Sequence, residues 1–252
     1  MEALKIENLT KHFGGLQVTN NVSFKVAPGE RLAIIGPNGA GKTTLLNLIA
    51  GSLPPARGHV YFYGQDITTK PVFERAQLGI LRSFQITSLF LDLTVLENIL
   101  LALHGKRSSR YHILRNFKSY HPYFDEAKEL LTSINLWEKR DSKVREIAYG
   151  EQRKLEIILC LASNPKILLL DEPSCGLTNQ ECSDIIRFLK ELEKDITVIM
   201  IAHDMDLVYE IAQRIIVLYY GGIIVDDVPD RIRVHPRVAE IYMGLEGVKQ
   251  DA

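Results

Sequence analysis

The chain has 252 residues, of which 46% are apolar and 24% charged. This globular balance fits one or two domains and excludes disorder, collagen and coiled coil as the main architecture. Lys and Arg number 30 against 31 Asp and Glu, a formal net charge of -1, which disfavours a dedicated nucleic-acid binder.

The predicted elements run in a clear order. Leu4, Ile6 and Leu9, then Val22, Phe24 and Val26, alternate with polar residues as half-buried strands do. Pro28-Gly29 marks a turn. Residues 31–35 form a short apolar run ending at Gly36, the pattern of a buried parallel strand. Helical spacing covers 43–50, with Gly51 as its stop. Residues 59–63 alternate again, and Gly64-Gln65-Asp66 reads as a turn. From 87 to 145 the pattern is helical, over 95–103 and 124–134, without a strand signal. Between those helices, 105–121 carries Lys106, Arg107, Arg110, Arg115 and Lys118 and no acid. It reads first as a solvated loop, with lipid headgroups or a membrane partner as the alternative.

After Tyr149 helix and strand alternate: helix 150–162, strand 167–171, helix 180–193, strand 196–201, helix 205–212, then strands 214–218 and 223–225. The whole is an α/β core with a mostly helical insertion. No apolar run reaches the about 18 residues of a membrane helix, and the N-terminus lacks a signal-like pattern. Cys160, Cys175 and Cys182 are odd in number and none lies in C-x-x-C spacing, so they read as reduced thiols of an intracellular protein.

Two motifs carry chemistry. Gly36-Pro37-Asn38-Gly39-Ala40-Gly41-Lys42-Thr43, followed by Thr44, fits G-x-x-x-x-G-K-[ST] between a strand and a helix. Its glycines let the backbone wrap an anion, and the helix N-terminus favours phosphate. Lys42 would reach the β- and γ-phosphates, and the Thr43 hydroxyl would hold Mg²⁺. The apolar run 167–170 ends in Asp171 and Glu172. Asp171 suits a Mg²⁺ site, and Glu172 suits the general base for a water in line with the γ-phosphate.

With these in place the chain resembles the ATP-binding cassette (ABC) ATPases. Ile147-Ala148-Tyr149-Gly150-Glu151-Gln152-Arg153 resembles the family's LSGGQ signature. Gln85 resembles the Q-loop glutamine, 174–178 the D-loop, His203 the switch histidine, and Phe13 the aromatic that stacks on adenine. Order and spacing match over about 4–244. The segment 79–85, Leu155-Glu156-Ile157 and the ending 235–244 resemble the LivG-type subunit of branched-chain amino acid importers; urea importers are similar.

The resemblance implies a P-loop (RecA-like) core with an N-terminal antiparallel β subdomain and an inserted helical subdomain. The core would take 1–86 and 149–252, and the helical part 87–148. It implies ATP and Mg²⁺ as ligands, with Thr43, Gln85 and Asp171 at the metal. Lys42, Gln85, Glu172 and His203 would act on the chain's own ATP, held by Phe13, Asn38, Gly39, Ala40, Gly41, Lys42, Thr43 and Thr44. Ala148, Tyr149 and Gly150 would act on ATP held by a second ATPase chain, identical or different. The further partners are integral-membrane permease subunits and, indirectly, a solute-binding protein, with the chain peripheral at the cytoplasmic face of the membrane. The segment 86–103 would border the groove for a permease helix, although Leu96, Ile99 and Leu100 read as core. The leading solute is a branched-chain amino acid. Urea or a short amide, lipid export, and a non-transport ABC ATPase are the alternatives.

Two positions depart from the family pattern. The signature serine is Ala148, which removes a hydroxyl that would donate to the γ-phosphate, a bond worth about 1.5–3 kcal/mol. The D-loop aspartate is Thr178. A weakened composite site follows from the first, and if the partner is a different ATPase chain, restoring serine at 148 should raise turnover of the assembled complex.

Overall fold

The computed structural model describes residues 1–83, 89–106 and 121–247. Gln85 and the basic residues Arg107, Arg110, Arg115 and Lys118 lie outside the described residues.

A four-stranded antiparallel sheet comes first. β1 (Leu4–Phe13) and β2 (Leu16–Val26) form a hairpin whose register runs from Leu4↔Val26 to Phe13↔Leu16. β4 (Arg57–Phe62) pairs with the other edge of β1, and the two-residue β5 (Gln65–Asp66) pairs with β4, giving the order β2-β1-β4-β5. The expected turn at 64–66 is therefore displaced by one residue. Tyr63 and Gly64 both take positive φ, 46° and 82°, which closes a two-residue hairpin, so pairing resumes at Phe62↔Gln65.

The second sheet has six strands in the order β10-β9-β3-β8-β7-β6. They are β3 (Arg31–Ile35), β6 (Ile80–Arg82), β7 (Ile167–Asp171), β8 (Thr197–Ile201), β9 (Arg214–Tyr219) and β10 (Gly222–Asp227). All neighbours are parallel except β9 and β10. Every residue of β7 and β8 is buried, as expected of parallel strands covered on both faces.

One face of this sheet packs on α1 (Lys42–Ala50) and the antiparallel sheet, in a core that joins Leu32, Ile34, Leu169 and Ile199 to Leu45, Leu46 and Ile49. The alternate residues Ile35, Leu168, Leu170 and Met200 face a second core. That core also contains residues of α3 (Val95–Lys106), α4 (His121–Ser133), α5 (Tyr149–Leu161), α6 (Asn179–Glu191) and α7 (Met205–Ile211). An isolated bridge, Thr94↔Lys143, closes the base of the helical segment.

Three helices carried no sequence signal strong enough to predict: α2 (Val72–Leu78), α8 (Pro229–Arg233) and α9 (Pro236–Gly247). α2 positions the guanidinium of Arg75, which is fully buried and donates to the carbonyls of Leu48, Ile49, Thr68 and Lys70. It thereby satisfies C-terminal carbonyls of α1 that the helix cannot pair internally. Burial pulls its pKa down to about 10.

Candidate functional site

The site is built where β3 feeds α1. Backbone crowding fixes the loop between them. Gly36 has φ 148°, and a Cβ there would stand 2.1 Å from the Leu218 carbonyl oxygen; Gly41 has φ 98°, and its Cβ would stand 2.4 Å from that of Val18. Only glycine satisfies both the conformation and the space. Asn38, Gly39 and Thr43 are exposed, Thr44 is half-buried and Ala40 is buried. No acidic side chain occupies the first turn of α1, and among the described residues no side chain caps its N-terminus. The first-turn N–H groups thus stay suited to an anion.

Lys42 is only 6% exposed and donates from Nζ to the carbonyls of Gly36 (2.7 Å) and Pro37 (2.9 Å). Burial lowers its pKa, against the opposing charges of Glu172 and Asp171. The lysine and the two carboxylates therefore share one field, as expected of strand ends at the carboxyl edge of a parallel sheet.

Asp171, at the end of β7, is fully buried. Its Oδ2 accepts from Arg82 on β6 at 2.8 Å, whereas its Oδ1 is buried with no partner among the described residues. Arg82 also donates to Asn47 Oδ1 on α1, so one guanidinium joins three elements. The orphaned carboxylate oxygen fits a hard cation or its bound water.

Asp171 pairs with Ile201 in register, so the residues beyond these two strands emerge side by side. Glu172 has φ 48° and donates its N–H to the Ile201 carbonyl. Its Oε1 lies 2.9 Å from His203 Nε2. Both side chains retain solvent access, where a water and a phosphate can reach them.

Arg153 on α5 had no expected role. It is buried and donates through Nη2 to the carbonyls of Asp171 (2.8 Å) and Glu172 (3.0 Å), and through Nε to that of Pro173 (3.4 Å). Its Nη1 pairs with buried Glu156 at 2.6 Å. Burial pushes the Glu156 carboxyl up, with Arg153 opposing. The main chain of both motif carboxylates is thus held by α5.

The residues expected to serve a second nucleotide make no recorded bond to this loop among the described residues. Ala148 N–H donates to Glu151 Oε2 (3.0 Å), Gly150 N–H donates to Glu181 Oε1 (3.2 Å), and Tyr149 is exposed beside Gly176. Phe13, 48% exposed at the hairpin end, is not a core aromatic, and Lys11 Nζ stands 5.5 Å from its ring centroid.

The family described as ABC transporter matches residues 19–175, well over half of the chain. The chain belongs to the ABC transporter family. It is an ATPase subunit of that family, whose ATP-binding chains couple ATP hydrolysis to transport. This ABC chain is 36% identical to the high-affinity branched-chain amino acid transport ATP-binding protein LivG of Escherichia coli (strain K12), with 96% of this chain and 97% of LivG covered. It is similar to the ADP conformation of an ATP-binding cassette of an ABC transporter, with TM-score 0.86, 34% identity, and 97% and 99% of the two chains covered. It also matches a dimeric post-hydrolysis state of a cassette bound to ADP and Pi, with TM-score 0.76, 30% identity, and 90% and 98% covered. The P-loop ABC fold expected from sequence is the fold observed. Among the described residues no helix is long and apolar enough to cross a membrane.

Proposed function

We propose that this ABC ATPase drives import of branched-chain amino acids. The observation that carries its chemistry is the Glu172–His203 pair at 2.9 Å, set beside buried Lys42. The backbone of 38–41, with Lys42, Thr43 and Thr44, cradles the phosphates, and Phe13 offers its ring face to adenine. Glu172 takes a proton from the water that attacks the γ-phosphorus, while His203 holds the carboxylate in place. Thr43, Gln85 and Asp171 would hold Mg²⁺, which neutralises phosphate charge when bound. Lys42 supplies a second positive charge for the β- and γ-phosphate oxygens.

Ala148, Tyr149 and Gly150 face a nucleotide on a second ATPase chain. Permease subunits bind the pair at the cytoplasmic face of the membrane, and a solute-binding protein acts through the permease. In this reading 1–86 and 149–252 form the catalytic core and 87–148 the helical part. The pairing Thr94↔Lys143 near the ends of that segment supports the division.

The test is Glu172→Gln in the assembled transporter. Turnover is expected to fall by about 100-fold or more, with ATP affinity within about threefold of the parent. Turnover near the parent level overturns the role of Glu172. Uptake of labelled leucine, lost with the chain and restored by it, tests the solute; restoration of urea uptake alone would redirect it to amides.

A further inference from the structure

The N-terminus of α5 is already occupied by an anion of the same chain. Ala148 is its N-cap residue and has no side-chain acceptor, so the first-turn donors need another partner. Glu181, on α6, supplies it. Its Oε1 accepts from Gly150 N–H at 3.2 Å, and its Oε2 accepts from Thr178 N (2.9 Å) and Thr178 Oγ (2.8 Å). The carboxylate lies so close that a Cβ at Gly150 would stand 2.4 Å from Oε1. One turn further along both helices, Lys154 pairs with Asp184 at 3.1 Å.

We propose that Glu181 is a positioning residue that caps the signature helix in the open chain and gives way when a partner's γ-phosphate arrives. The inference rests on the reading of 148–150 as a contact for the second chain's nucleotide. Two anions cannot share the Gly150 N–H at close range, because like charges in one site repel and the donor has one hydrogen. Closure of the pair therefore exchanges one acceptor for the other: the Gly150 N–H···Oε1 bond breaks and a Gly150 N–H···phosphate bond forms. The released carboxylate keeps its bonds to Thr178, at the end of the 174–178 segment. Arrival of phosphate at the signature is thereby felt at the position where the family's aspartate is replaced. Ala148 makes this arrangement work, since a serine there would cap α5 itself and leave Glu181 only its bonds to Thr178.

Two measurements test the exchange. The first is the melting temperature of the full chain in four forms: parent, Ala148→Ser, Glu181→Ala and the double variant. If Glu181 substitutes for a missing cap, serine at 148 raises the melting temperature more in the Glu181→Ala background than in the parent. Equal shifts in both backgrounds mean Glu181 serves only its own helix, and overturn the proposal.

The second is ATP-driven association in the Glu172→Gln background, measured on the full chain and on the assembled transporter. Glu181→Gln keeps an acceptor oxygen and removes the charge, so the ATP concentration at half-association is expected to fall several-fold. An unchanged or raised midpoint overturns the exchange and leaves the nucleotide reading of 148–150 intact. Absence of ATP-driven closure in both preparations overturns that reading and the exchange with it.

Discussion

Arg82 and Asp171 form an ion pair at 2.8 Å that uses only one carboxylate oxygen, while the other lies buried and unpartnered among the described residues. The pair is nearly dry, and the same guanidinium reaches Asn47 on the phosphate-loop helix. Arg82→Met would strand a buried carboxylate, at a cost of about 3–5 kcal/mol. Urea denaturation of the nucleotide-free chain should show a loss of that size. Arg82→Lys keeps the charge but cannot serve Asp171 and Asn47 as one planar fork, so an intermediate loss is expected. Added Mg²⁺ and nucleotide should raise the melting temperature of Arg82→Met more than that of the parent, because a cation near Asp171 replaces the missing charge. Equal shifts would count against a metal role for Asp171.

Arg153 predicts a split between rate and affinity. Its guanidinium holds the carbonyls of Asp171, Glu172 and Pro173, which lie outside the phosphate loop. Arg153→Lys shortens the fork and should lose one or more charge-assisted bonds, each worth about 1.5–3 kcal/mol. If half of that loss falls on the placement of Glu172, turnover drops by roughly tenfold. ATP affinity should stay within a few-fold. A parallel loss of affinity and turnover would mean that Arg153 only supports the fold.

Phe13 offers a smaller and cleaner effect. Stacking through a ring face contributes about 0.5–1.5 kcal/mol beyond area burial, so Phe13→Ala should weaken ATP binding about 3–10-fold. Phe13→Tyr and Phe13→Trp should bind near the parent level, since each keeps a ring face. Titration with a fluorescent adenine nucleotide reads this directly, and unchanged affinity for the alanine variant would remove Phe13 from the site.

What the sequence made legible was local. β3, β7 and β8 stood out because strands buried on both faces carry apolar runs, here 32–35, 167–170 and 198–201, and the phosphate loop lies between the first of these and a helical period. β6 was missed because Ile80–Arg82 is only three residues long and exists as a strand through its pairing with Ile167 to Leu169. α2 has seven residues, fewer than two clear helical periods. The residues that hold the site together were invisible for another reason. Arg82 and Asp171 are 89 positions apart, Gly150 and Glu181 are 31 apart, and Arg153 reaches carbonyls 18 to 20 positions away. A charged residue in an apolar context signals a buried pair, but spacing alone names no partner at such separations.

The three cysteines give a probe of the segment between Glu172 and Thr178. Cys175 is exposed and donates its main-chain N–H to the Glu172 carbonyl at 3.1 Å. Cys182 is partly buried, and burial together with the Asp204 charge pushes its thiol up. Cys160 packs against the larger core, and burial pushes its thiol up to about 12. Reaction with a thiol reagent follows thiolate fraction and access. At neutral pH Cys175 should therefore label first, Cys182 more slowly, and Cys160 only as the chain unfolds. Cys175→Ser should delete the fast phase alone. Adding ATP to the Glu172→Gln transporter should then slow that fast phase several-fold, because a second chain seated on 148–150 covers the neighbouring 174–178 segment. A fast phase indifferent to ATP would place the second chain elsewhere, and fast labelling of Cys160 would contradict its packing against α5's neighbours.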